Sequence, residues 1–328
     1  MSALRRAFAI MLAVELLYLI MANALFRTSL VSQVVQSAQG IRFDYGSAYS
    51  VVPGRVHVDR LKLRFEDYNV QFELRIDHAV LDVSLHELAL RRFHVLDVRA
   101  GQVSFRMRHK LHSVGQDAMR VASYPKIEGF ADPPLYTGSR PPPIPDAQYH
   151  LWQVHIENVL ADVNEIWILE YRFLGNAIAA GSFLLKPARW VMVKSASLTF
   201  QSGKLQTVES GATGALVGRI RCDVPGLDVR RLSGSEIFRA ISADATLSIA
   251  NWELKFIDQY LQPRFKVDAK GPLEVQLRAE LSAGRITERT NVVLDAPKTV
   301  ATSPDGSFEG RVHATLGAVT ATESLTLH

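Results

Sequence analysis

Asn-Val-Gln-Phe-Glu-Leu-Arg-Ile-Asp, positions 69–77, alternates apolar and polar residues with a period of two. Val70, Phe72, Leu74 and Ile76 point one way and Gln71, Glu73 and Arg75 the other, as in a strand with one greasy and one wet face. A helix could not keep the two sets apart. On the N-terminal side Val56 and Val58, then Leu61, Leu63 and Phe65, alternate with charged residues, and the phase slips by one at Asp59–Arg60. Such a slip reads as a β-bulge or a bend. On the C-terminal side Val103, Phe105 and Met107 alternate with Gln102, Ser104, Arg106 and Arg108. Between them, Ala79, Leu81 and Val83 read as strand and 86–92 as one or two helical turns.

The same period returns after residue 150, in Trp152, Val154 and Ile156, in Leu198 and Phe200, and in Leu273, Val275 and Leu277. Gly175, Gly181 and Pro187 read as hairpin turns between strands of about seven to ten residues. Short helices are expected near 235–242, where Ser233 and Glu236 have capping-box spacing, and near 252–261, stopping before Pro263. Residues 113–149 carry seven prolines and three glycines and cannot form central strands. They read as a long loop joining two parts of one sheet, or as a lid or docking segment. The letters 324–328 are still strand-like, so a sheet edge there needs cover or a partner.

From Ala7 to Phe26 the chain is almost continuously apolar, close to the roughly 20 residues needed to cross a bilayer. Phe8, Leu12, Leu16, Leu19 and Phe26 lie along this run, and Arg5 and Arg6 precede it. By the positive-inside tendency the arginines hold the N-terminus in the cytoplasm and send the rest across an inner membrane. Glu15, in the middle, costs about 2.5–3.5 kcal/mol on insertion scales unless it is neutralised, snorkels or meets a partner helix. Ala22-Asn23-Ala24 has the form of a signal-peptidase site, but the apolar run exceeds the 7–15 residues usual for a signal peptide, which favours an uncleaved anchor. A stripe of Leu30, Val31, Val34, Val35 and Ala38 extends helical periodicity to Gly40. The chain thus divides into an anchor with amphipathic extension (1–40), a β module (41–112), a loop (113–149) and a further sheet (150–328).

The 328 residues carry a net charge of +4, with no Lys/Arg run and no interleaved aromatic-basic patch, which argues against nucleic acid. The single cysteine, Cys222, sits in an alternating run and reads as a small buried hydrophobe. The ten histidines are scattered, with no ligand cluster at metal spacing. Gly211–Gly218 lacks a P-loop lysine and leads into a strand. No catalytic residue, metal or cofactor is therefore expected, and the fold class is mainly β: an apolar N-terminal helix, a long curved antiparallel sheet and a few short helices.

The run Gly54 to Leu63, the Leu81 to Leu88 turn and the Arg92 to Phe105 return, following a membrane helix with an amphipathic extension, resemble the N-terminal module of the AsmA-like family. Its members are relatives of TamB and of the repeating β-groove lipid transfer proteins. The resemblance covers about the first hundred residues and rests on pattern. It implies a folded-over sheet, a β-groove or "taco", whose apolar side holds or passes phospholipid acyl chains through the periplasm. The groove would be lined by the alternating residues named above. It equally permits a membrane-anchored scaffold for envelope or outer-membrane protein assembly, with a periplasmic or outer-membrane protein bound at the C-terminal sheet edge. Alternation alone does not separate an open trough from an ordinary closed core.

Overall fold

The computed structural model describes residues 2–28, 30–36, 41–66, 70–111, 126–136, 138, 152–186, 189–208, 210–228, 241–257, 268–303 and 306–317. The apolar run forms helix α1 (Ser2–Phe26), and a turn at 27–28 separates it from α2 (Leu30–Gln36). Two helices thus stand where one continuous extension was expected. Then come β1 (Ile41–Asp44), β2 (Ser47–Val52), β3 (Arg55–Glu66), β4 (Val70–Val83), α3 (Leu85–Ala89) and β5 (Arg92–His109). After the Pro-rich segment follow β6 (Gln153–Ile168), β7 (Tyr171–Lys186), β8 (Trp190–Thr207), β9 (Thr213–Asp228) and β10 (Ser242–Glu253). The chain closes with β11 (Asp268–Lys270), β12 (Pro272–Ser282), β13 (Arg285–Ile286), β14 (Asn291–Ser303) and β15 (Gly306–Gly317).

All the strands belong to one 15-stranded sheet, which does not close on itself. Its order is β1-β3-β4-β5-β6-β7-β8-β9-β10-β12-β14-β11, with β2 also on β3, β13 on β12 and β15 on β14. Pairing is antiparallel except between β5 and β6, which run parallel from Arg92↔Gln153 to Met107↔Ile168. A parallel neighbour needs a long crossover, and the Pro-rich stretch supplies it. The sheet passes without interruption across that connection. Because β1 and β2 share one flank of β3, and β11 shares a flank of β14 with β12, the sheet is about twelve strands across, roughly 50 Å at 4.8 Å per strand.

Several local expectations are corrected. Gly175 and Gly181 are not turns but lie inside β7, Gly175 at a shift in its register with β6 and Gly181 at one with β8. A Cβ on Gly175 would stand 2.4 Å from the Gly203 Cα, and one on Gly181 would stand 2.8 Å from the Ala196 Cα. These glycines let two backbones approach closely, and the strands grow to 16 and 18 residues as a result. The stretch 166–173, whose Ile-Trp-Ile-Leu-Glu-Tyr-Arg-Phe sequence reads as one strand, is instead the end of β6, a turn, and the start of β7. Trp252 and Glu253 finish β10, and the helix expected at 252–261 is a 3-10 turn, Leu254–Ile257. The helix expected near 235–242 lies outside the described residues up to 240, and Ser242 already begins β10. Most of 113–149, the positions beyond 257 in the second helix, and 324–328 also lie outside them. The phase slip at Asp59–Arg60 is a bend: Arg60 takes φ 53°, and Gln102 takes φ 56° at the matching slip in β5. The β3–β4 register runs through it unchanged.

Candidate functional site

Directly paired residues in neighbouring strands share a face, so the register shows how the alternating side chains assemble. Leu61, Ile76, Val103, Val163, Ala177, Phe200, Gly218, Leu247, Leu277, Val292 and Leu316 form one row from β3 to β15. A second row joins Leu63, Leu74, Phe105, Ile166, Phe173 and Leu205. A third joins Val58, Ala79, Ala100, Ala161, Ala179, Leu198 and Ile220. Val56 pairs Leu81, Phe65 pairs Phe72 and then Met107, and Val154 and Ile156 pair Phe93 and Val95 on the same side. Val70 lies two residues from Phe72 on that face. Leu273 and Val275 pair Trp252 and Ile249. Trp152 stands just outside β6. The small members of the rows, Ala79, Ala100, Ala161, Ala177 and Ala179, carried little signal in the sequence because alanine fits either period.

Burial along this face is uneven. Its middle is packed: Val95, Ala161, Val163, Phe173 and Ala177 are buried in one cluster that reaches Trp252 and Leu273. Trp252 stacks on Phe256 at 3.9 Å, and its indole N–H is buried with no acceptor among the described residues. The far end of β3–β5 is looser. Leu63, Phe65, Phe72, Leu74, Phe105 and Met107 are only half-buried, their rings in mutual contact at 5.2 Å (Phe65–Phe72) and 5.8 Å (Phe72–Phe105).

The polar face is the reverse. Arg108 and Glu73 are 0% exposed and Gln71 is 1% exposed, because segment 126–136 lies across them. Glu73 accepts from Arg64 Nε at 3.2 Å and from Arg75 Nε at 2.6 Å, and Arg75 Nη2 reaches Glu128 at 3.0 Å. Arg108 donates to Gln71 Oε1 at 2.9 Å and to the Ala131 carbonyl at 3.1 Å, with Asp132 at 3.4 Å. Leu111 N–H donates to the Pro134 carbonyl and Tyr136 N–H to that of Leu111, fastening the strap beside β5. Next to it, Glu165 accepts from Ser104, Arg106 and Arg172 at 2.6–2.9 Å. Burial pushes the Glu165 carboxyl up, but those donors outweigh it and hold the group below the ordinary glutamate range. Glu66 is likewise held low: burial raises it, and Lys110 and Gln71 more than offset that.

The parallel pairing also brings His94 beside His155, with Glu157 nearby. Sequence spacing could not show this, since 61 residues separate the two histidines. The rings stack at 4.6 Å and 12°, and His94 Nε2 lies 2.7 Å from Glu157. Cofacial rings aim their in-plane lone pairs in parallel, not at a common point, so the arrangement is a hydrogen-bonded pair rather than a formed metal centre.

At the other end of the sheet, α1 packs on β2. Leu4–Phe26 is long and apolar enough to span a membrane. Glu15, Tyr18, Leu19, Ala22, Asn23 and Phe26 form its one partly covered stripe, while Phe8, Leu12 and Leu16 are exposed. Glu15 therefore lies on the side of the helix that faces its own sheet. Asn23 Nδ2 donates to the Ser50 carbonyl and Asn23 Oδ1 accepts from the Ser50 N–H, both at 2.9 Å. The Gly54 N–H donates to Tyr18 Oη at 3.1 Å, and Tyr45 Oη donates to the Phe26 carbonyl at 2.8 Å. No protein-family model and no curated protein matches the chain.

Proposed function

We propose that this is a bilayer-anchored protein of the AsmA-like kind that binds phospholipid acyl chains along the apolar face of its sheet and passes them away from an inner membrane into the periplasm. The observation that carries the reading is the apolar row running unbroken from β3 to β15 in a sheet that does not close. An acyl chain laid across such rows exchanges water for apolar contact at about 0.8 kcal/mol per methylene. The rows run across the strands, so a tail could advance from strand to strand without meeting a charge. Nothing in the chain resembles a nucleotide site, so movement follows a gradient or a partner. A second reading, an anchored assembly scaffold, is favoured by β15, which is an edge strand among the described residues and leaves Phe308 and Val312 exposed.

Native mass spectrometry of the full chain released from detergent tests the reading. Retained phospholipid is expected for the wild type. It should be lost on triple substitution of Phe72, Leu74 and Phe105 by Asp, with the circular dichroism of the sheet kept. Equal lipid on both proteins would leave only the scaffold.

A further inference from the structure

The contact between α1 and β2 fixes how deep the sheet sits. Tyr18, which binds the tip of the β2–β3 hairpin at Gly54, lies eight residues before the end of α1, about 12 Å along its axis. The apolar part of the span beyond Tyr18, Ala7 to Leu17, is roughly 16 Å long, and a bilayer core is about 30 Å thick. A helix that crosses with this contact intact must carry the hairpin tip on the order of 10 Å into the leaflet the sheet faces.

The hairpin is built for that position. From Ala48 to Gly54 it has no charged residue, and Arg55, which follows at the tip, has its charge paired with Asp82 at 2.7 Å. Among the described residues the outer edge of β2 has no strand partner, and an unpaired edge in hydrocarbon is costly. Here α1 meets it: the Asn23 amide takes both backbone groups of Ser50, and the Tyr18 hydroxyl takes the Gly54 N–H. Around the tip, Val51, Val52, Leu85 and Leu90 are 55%, 50%, 40% and 57% exposed. Gly54 O accepts from Val83 N–H, which places the start of α3 against the same tip. Exposed Arg91 and Arg92 follow Leu90, as basic residues do at the headgroup level.

We infer that the β2–β3 hairpin tip and α3 form a second membrane element, a wedge seated in the leaflet beside α1, so that the near end of the apolar face opens among acyl chains. This rests on α1 crossing the bilayer but not on lipid carriage. It also gives the polar residues of α1 a purpose, and it requires Asn23 to stay attached to the sheet.

The test uses the full chain with Cys222→Ala, reconstituted in phosphatidylcholine–phosphatidylglycerol vesicles. Single cysteines at Leu12, Val52, Leu90 or Phe308 are labelled with an environment-sensitive fluorophore and read with acyl-chain nitroxide lipids and aqueous iodide. Labels at 12 and 52 should lose emission to the acyl-chain nitroxide, 90 to a headgroup nitroxide, and 308, at the opposite end of the sheet, to iodide alone. If 12 is quenched from within the bilayer but 52 and 90 answer to iodide, or to neither quencher as when covered by protein, the wedge is wrong and the anchor stands. If 12 is also quenched only by iodide, the anchor falls and the wedge with it. As a second arm, Asn23→Leu should move the label at 52 toward iodide while leaving that at 12 unchanged.

Discussion

At their far end, β3, β4 and β5 treat their two faces in opposite ways. The charged face is sealed, with Arg108, Glu73 and Gln71 out of water beneath 126–136, while the aromatic face, with Phe65, Phe72 and Phe105, is left half-open. A sheet stabilised mainly by burying its apolar side would do the reverse. Here the fully buried ion pairs lie on the charged side, and the aromatic side keeps part of its surface exposed. The comparison also locates the weak point of such a design. Buried charges hold a structure only while every partner is present.

The largest expected effect follows. Arg108→Ala leaves Gln71 Oε1 and the Ala131 carbonyl without this donor beneath 126–136, and should lower unfolding stability by about 3–5 kcal/mol in denaturant titrations followed by tryptophan fluorescence. On the opposite face, Phe105→Ala should cost less, about 2 kcal/mol in lipid-free protein, since a ring still partly in water gives up less than the transfer energy of a fully buried one and its loss leaves no sealed cavity. A loss of 3–5 kcal/mol there would mean a tightly packed core and erase the contrast. Acid sharpens the comparison. Glu165 has a folded pKa below its unfolded one, so its contribution is complete above about pH 4.5 and disappears as pH falls through the folded value. Glu165→Gln should flatten stability over that acid window, and a pH profile unchanged by the substitution would contradict the sign. Smallest of all, Arg311→Ala removes a solvent-exposed pair with Asp295 and should leave the melting temperature within error.

What the sequence made legible was the period. Strands β3–β5 could be read because valine, leucine and phenylalanine alternate there with charges at nearly every step. The apolar N-terminal helix was equally plain. The parallel β5–β6 pair was not, because two parallel strands joined by some forty residues leave no local trace, and the His94–His155 contact stayed hidden with it. The sealing of the charged face was invisible for a related reason: Glu73 and Arg108 look solvated until a segment from 126–136 is laid over them. Glycines in β7 misled because the same residue serves turns and close strand approach. Glu15 read as a costly charge in a membrane helix, and only the fold shows that it shares with Tyr18 and Asn23 the stripe facing β2.

The central claim, that tails of lipid travel on one face alone, is met most directly by photo-crosslinking in cells at neighbouring positions of opposite facing. A benzophenone amino acid at Leu198 or Leu277, on the apolar rows, should form phospholipid adducts, whereas one at Thr199 or Gln276 should form none. Adducts absent from 198 and 277, or equal at all four, would contradict it.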